Sequence, residues 1–168
     1  MSDIQYQVTS FDKTEHPLFD EFLGIWESYK KGSILPSWSD LDFTAFPYKM
    51  ISNLLLMDVT HDPLRLRYRF IGTAITTVEN QDLTGQYVDQ LEPQSSVRSL
   101  HESYQHIINS KKPFEYNMVS TMNNEKLNIA NGVRVPLSND GTIIDNVLTY
   151  IQLNADHHLI QEFYKNKI

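Results

Sequence analysis

The segment KLNIANGVRVPLSNDGTIIDNVLTYIQL, residues 126–153, most constrains what this chain can fold into. Two long runs rich in branched aliphatic residues flank the turn-forming cluster SNDG at Ser138 to Gly141, which predicts two antiparallel neighbouring strands. The second run is apolar almost throughout, so its strand lies in the interior of a sheet or has both faces covered. The first is expected to break or bulge near Asn131 and Gly132.

Other strands must pair with this hairpin. NLLLMDVTHDPLRLRYRFIG reads as a strand from Leu54 to Val59, a turn through His61, Asp62 and Pro63, and a strand from Leu66 to Ile71. FEYNMVST, Phe114 to Thr121, alternates as a further strand. Two segments carry helical rhythm instead. SVRSLHESYQHIINSKK places Val97, Leu100, Tyr104, Ile107 and Ile108 on one face, and Pro113 helps to stop it. PLFDEFLGIWESYKK does the same with Leu18, Phe22, Ile25, Trp26 and Tyr29 before Gly32. So bulky an apolar face needs a partner, either the chain's own sheet or the same helix in a second copy, which makes these five residues the candidate dimer helix. Residues Ala74 to Asn80 fit a short helix, and the Pro-, Ser- and Asp-rich ILPSWSDLDFTAFP fits a connector lying across the body through Trp38, Phe43 and Phe46.

The order is helix and connector, two strands, short helices, a longer helix, then three strands. The economical solution is an α+β fold, a five-stranded antiparallel sheet with helices over one face and an additional N-terminal helix. With 168 residues there is material for one ordinary domain. The expected division is an N-terminal extension over 1–33, a central domain over 34–155, and a polar tail or short helix over 156–168.

Composition removes several kinds of chemistry. There is no cysteine, which excludes disulfides, thiolate metal sites, cysteine nucleophiles and flavin–cysteine adducts. The net charge of −7, with 21 acidic against 14 basic side chains, argues against nucleic acid as a partner. The comb of Arg65, Arg67 and Arg69 reads better as ion pairing on the outside of a sheet. MSDIQYQVTSFDKTEH lacks a basic flank and an apolar core, so no signal peptide is expected and the expected location is cytoplasmic. The run LLLM is too short to span a bilayer, and no membrane partner is expected.

Three short motifs, in order, carry a resemblance. LPSWSDLD spans Leu35 to Asp42, YRFIGT spans Tyr68 to Thr73, and DLTG spans Asp82 to Gly85; VPL follows at Val135 to Leu137 before the SNDG turn. With the order of elements, these resemble the PAS-like domain family, in particular bacterial stand-alone PAS proteins of uncharacterised function, over about Ile34 to Leu153. The resemblance implies a ligand-binding or dimerising sensor and supplies no catalytic residues. It makes Arg69, Gly72, Thr73, Asp82 and Gly85 a structural motif that shapes the exit from a strand and the next turn.

Catalytic signals are weak. His101 and His106 are five apart and do not share a helix face as a metal pair would, although either would be the first axial ligand to examine for a haem. No cofactor and no metal are expected. Asp40 and Asp42 fit turn or helix-start acceptors better than an acid–base pair. The sequence has no GxSxG elbow and neither glycine-rich phosphate motif. Tyr68, Tyr104, Tyr116, Asn128 and Arg134 are the candidate ligand pocket, an aromatic wall with a few polar contacts. The expected function is a non-enzymatic sensory or signalling module that binds a small metabolite or partner protein, forms a homodimer, signals through altered oligomer packing, and passes its output to a separate signalling partner. The rivals are a small α+β enzyme with an enclosed cavity and a purely protein-interaction module without a ligand.

Overall fold

The computed structural model describes residues 4–9, 16–92, 94–122 and 125–154. The expected C-terminal tail over 156–168 lies outside the described residues. Among the described residues six strands form one sheet: β1 (Ile4–Thr9), β2 (Leu54–Thr60), β3 (Arg65–Ile71), β4 (Phe114–Met122), β5 (Glu125–Leu137) and β6 (Asn146–Leu153). Their spatial order is β1-β4-β5-β6-β2-β3, and every neighbouring pair is antiparallel. The five-stranded antiparallel sheet expected from the sequence is present as β2 to β6. A sixth strand, β1, extends it by pairing Ile4 to Thr9 along β4.

Among the described residues four α-helices accompany the sheet: α1 (Pro17–Ser28), α2 (Tyr48–Ile51), α3 (Thr73–Glu79) and α4 (Gln94–Ser110). The cross-strand register fixes which side chains share a face, because residues directly opposite point the same way. Tyr150, Leu54, Leu148 and Leu56 share one face. There α1 packs, with the Phe22 ring stacked on Tyr150 at 5.9 Å and the Phe19 ring edge-on to it at 5.8 Å. The connector covers the same face further along, where Phe43 meets Phe70 edge-on at 5.6 Å. The opposite face carries Phe114 and Tyr116 from β4, Gly132 and Arg134 from β5, and Thr149 and Ile151 from β6. It lies beneath α3 and α4.

Both faces of β6 are therefore covered, as its apolar run requires, and its first six residues are all buried. The apolar face of α1 is occupied by its own sheet: Phe22 and Trp26 are buried, Leu18, Ile25 and Tyr29 pack against the core, and Trp26 Nε1 donates to the Pro136 carbonyl at 3.1 Å. Of the two partners open to this helix, the sheet of the same chain is the observed one. With β1 in the sheet and α1 in the core, the expected extension over 1–33 contributes to the same body as the central strands.

The irregularity in β5 falls earlier than expected. The β4–β5 register shifts between Met118 and Val119, opposite Asn128 to Ala130, whereas Asn131 and Gly132 pair regularly with Asn117 and Tyr116. Gly132 is needed for another reason. A Cβ there would lie 2.3 Å from Cε1 and Cζ of the Tyr116 ring, so only glycine lets that ring lie across β5.

Candidate functional site

The sheet face beneath α3 and α4 encloses a cavity of about 30 Å³ lined by Tyr68, Tyr104, Tyr116, Arg134 and Glu79 among apolar side chains. Four of the five residues expected to form a pocket meet there, brought in by three strands and a helix. Tyr68 comes from β3, Tyr116 from β4 and Arg134 from β5, while Tyr104 descends from the buried stripe of α4 that Val97, Leu100 and Ile107 continue.

Asn128 does not join them. Strict alternation places it on the Arg134 face, but the register shift interrupts that parity; Asn128 is exposed, donates to Asn131 Oδ1 at 3.0 Å, and leaves Ile129 buried in its stead. Ile129 lines a second, apolar space of about 30 Å³ with Val78, Ala130 and Leu153. Ile75, Glu79, Met118 and Ile151 line both spaces.

At the centre is Arg134, 1% exposed and thus a permanent positive charge removed from water. Its guanidinium carbon lies 4.1 Å from the Tyr104 ring centre, 4.2 Å from that of Tyr116 and 5.7 Å from that of Phe114. Cation–π attraction to electron-rich ring faces, worth about 2 kcal/mol or more per desolvated pair, offsets part of the lost hydration. Nη1 also donates to the hydroxyl of Ser103, one helical residue before Tyr104.

Burial pushes the Tyr116 phenol up to about 12; Arg134 opposes that shift, and the charge of Glu79 adds to it. Burial likewise raises Tyr104, against the pull of Arg134. Both phenols are therefore neutral at ordinary pH. Thr149, directly opposite Arg134 on β6, is fully buried, and its Oγ1 makes no hydrogen bond among the described residues. The same holds for Tyr104 Oη, although Thr149 and Arg134 are near enough to favour its phenolate.

The expected structural motif is assembled around the exit from β3. Arg69 Nε pairs with Asp58 Oδ1 at 3.1 Å. Gly72 passes so close to the Ser52 carbonyl that a Cβ would lie 2.2 Å from its oxygen. The Thr73 carbonyl accepts from Thr76 Oγ1 and Thr77 Oγ1 in the first turn of α3. Asp82 Oδ1 accepts from the Thr84 N–H at 2.9 Å, and Gly85, with φ of 86°, donates its N–H to the Tyr68 carbonyl at 2.7 Å.

The remaining candidates lie away from the cavity. The arginine comb is ion-paired, Arg65 with Asp89 at 2.7 Å and Arg67 with Asp58 at 2.8 Å. Asp40 Oδ2 accepts from the Ser37 N–H and Asp42 Oδ1 from Thr44, and these hydrogen bonds lower both carboxyls. His106 is exposed with its ring edge-on to Phe114, and neither it nor His101 lines the cavity. Among the described residues no three His, Asp or Glu side chains are grouped to hold a metal ion. No described helix is long and apolar enough to cross a membrane.

Sequence reasoning missed Glu79, Ser103 and Thr149. Ser103 is the single polar residue in the buried stripe of α4, and Thr149 is the polar residue in the apolar run of β6. Both are visible as polar interruptions once the register is known.

No protein-family profile matches this chain, and no curated protein matches it. Among solved structures it is similar to an RNA-binding light-oxygen-voltage receptor, with a TM-score of 0.42 and 9% identity. The alignment covers 99% of this chain, which spans 42% of that receptor.

Proposed function

We propose that this chain is a non-enzymatic sensory or signalling module whose ligand site is the cavity between the sheet, α3 and α4. The observation that carries the reading is Arg134: a buried guanidinium held between two tyrosine rings at the wall of an otherwise largely apolar cavity. Apolar walls with a few convergent polar groups are the ordinary makeup of small-molecule sites. Occupancy alone carries no signal; the ligand must favour one packing of α3 and α4 over another, and that difference is passed to a second copy or a separate partner. Native mass spectrometry of freshly purified protein, followed by denaturation, tests this. A stoichiometric small molecule released on unfolding supports the reading.

A protein-interaction module without a ligand is favoured by one observation, the size of the cavity, since about 30 Å³ is one water's share of the liquid. A mass spectrum with no retained molecule, together with no change in α3 or α4 amide signals across a metabolite panel, would select that reading.

A further inference from the structure

We infer that this chain has a second ligand site, apart from the cavity beneath α3 and α4, that takes a small polyhydroxylated carboxylic acid. The site is a groove of about 410 Å³ lined by residues of β2 and β3, by Tyr87 and by the connection between β5 and β6. Such a volume suits a small molecule, since ligand clefts span about 300–1,000 Å³.

The strand register builds this groove on the face that α1 packs against. Along β2, Leu54 and Leu56 give way on that face to Asp58 and Thr60, with Asn146 and Arg67 beside Asp58 and Arg65 beside Thr60. This end of the face is polar, and among the described residues no helix lines it.

The cationic wall is held in place. Arg67 Nε and Nη2 donate to Asp58 Oδ2 at 3.2 and 2.8 Å, and Arg69 Nε pairs with Asp58 Oδ1 at 3.1 Å. Asn146 Nδ2 donates to that same Oδ1 at 2.8 Å, so both oxygens of Asp58 are engaged. Arg65 is clamped by both oxygens of Asp89, and its guanidinium carbon lies 3.7 Å from the Tyr87 ring centre. Nη1 of Arg65 and Arg67 and both Nη atoms of Arg69 make no hydrogen bond among the described residues. The pairing is also uneven. Arg65 has Asp89 to itself, whereas Arg67 and Arg69 share Asp58, which leaves one positive charge over on this wall. A single negative charge balances it, and the planar guanidinium fork matches the two oxygens of a carboxylate. Both side chains are less than half exposed, so salt screens such a pair less than one on open surface.

The rest of the lining suits hydroxyl groups. Asp145 Oδ2 accepts the Asn139 N–H at 2.7 Å, while Asp145 Oδ1 and the Asn139 side-chain amide make no hydrogen bond among the described residues. A carboxylate here repels a second anionic group on a ligand and accepts from its hydroxyls. Among the described residues of the lining only Val59 and Tyr87 offer apolar surface. A hydrocarbon body finds little to pack against, and a polyol finds partners.

Isothermal titration of the full chain at low salt with gluconate, sorbitol and hexanoate tests the proposal, because sorbitol lacks the carboxylate of gluconate and hexanoate lacks its hydroxyls. Gluconate is expected to bind about tenfold more tightly than either, and Arg69→Gln to weaken gluconate about tenfold. Arg98→Gln removes the same charge from the exposed side of α4 and should leave binding unchanged. Amide chemical shifts of the wild type locate the site without any substitution, and gluconate is expected to move those of Asp58, Arg69, Asn139 and Asn146. Equal binding of gluconate and sorbitol, or no binding of gluconate, would overturn carboxylate recognition. Equal binding of gluconate and hexanoate would overturn the polyhydroxylated body. An equal loss in Arg98→Gln, or shifts that spare the groove, would overturn the site itself. Shifts confined to α3 and α4 would instead place gluconate in the cavity, so the two sites fail separately.

Discussion

Replacing Gly132 with alanine probes how tightly the tyrosine–arginine stack is built. The new methyl would sit 2.3 Å from two ring carbons of Tyr116 and 2.5 Å from its hydroxyl oxygen, against 3.4–4 Å for ordinary contact. An exposed ring would swing aside at little cost. Tyr116 is 1% exposed, with the guanidinium of Arg134 against its face and Phe114 beside it, so the ring or the β5 backbone must shift by about an ångström. Overpacking of this kind costs about 1–3 kcal/mol. Alanine recovers about 0.5–1 kcal/mol by restricting the unfolded backbone, leaving a net loss of up to about 2.5 kcal/mol, about 1 kcal/mol at the centre of these ranges. For a chain of this length a loss of about 1 kcal/mol lowers the thermal midpoint by about 2–4 °C. Urea denaturation followed by near-ultraviolet circular dichroism would measure the loss and report the tyrosine environment. In a Tyr116→Leu background the same alanine should cost nothing, because its obstacle is gone. An unchanged or raised midpoint for Gly132→Ala in the otherwise wild-type chain would refute the close-packing account.

Trp26→Phe should lower stability by about 1–3 kcal/mol in urea denaturation, because it leaves the buried Pro136 carbonyl without the indole donor. Asp140→Asn should flatten the acid limb of the stability curve. The N–H groups of Ile143 and Thr142, with the Thr142 and Ser138 hydroxyls, hold the Asp140 carboxyl well below its ordinary 3.8. A folded-state pKa lowered in this way gives stability that is complete above the unfolded value and is lost as pH falls below it. Thermal melts of wild type from about pH 4 down to about pH 2 should therefore fall more steeply than those of the variant.

The main elements were legible because their periodicities are strong. The run TIIDNVLTYIQL, the 3.6-residue rhythm of α4 and the turn at SNDG leave little freedom in assigning β5, β6 and the helix above them. The cavity was legible in part, since the parity of a strand and the face of a helix place Tyr104, Tyr116 and Arg134 on one side, whereas Tyr68 has the parity of Phe70 and reaches that side through the register shift between Leu56 and Met57. Asn128 shows where parity fails: one skipped pairing beside Met118 turns its side chain outward, and no local residue pattern fixes where the skip falls. The alternation Ile4, Tyr6, Val8 was a strand signal for β1, weakened by its polar setting and by lying more than a hundred residues from its partner β4. The face that α1 covers is likewise set by tertiary packing, because an amphipathic stripe specifies burial without naming the surface that provides it.

The added strand β1 also bears on how this molecule avoids joining others. A sheet margin presents a row of backbone donors and acceptors to any passing extended chain. Without Ile4 to Thr9 that margin would be the nine residues of β4; with them it is a strand of six. The far margin is guarded differently, by the Gly85–Tyr87 segment, which bonds to both backbone groups of Tyr68 in the middle of β3, and by the three arginines along that strand. Each flank thus has its own deterrent against fibril-like growth, one a shorter border and the other a bolted and charged one.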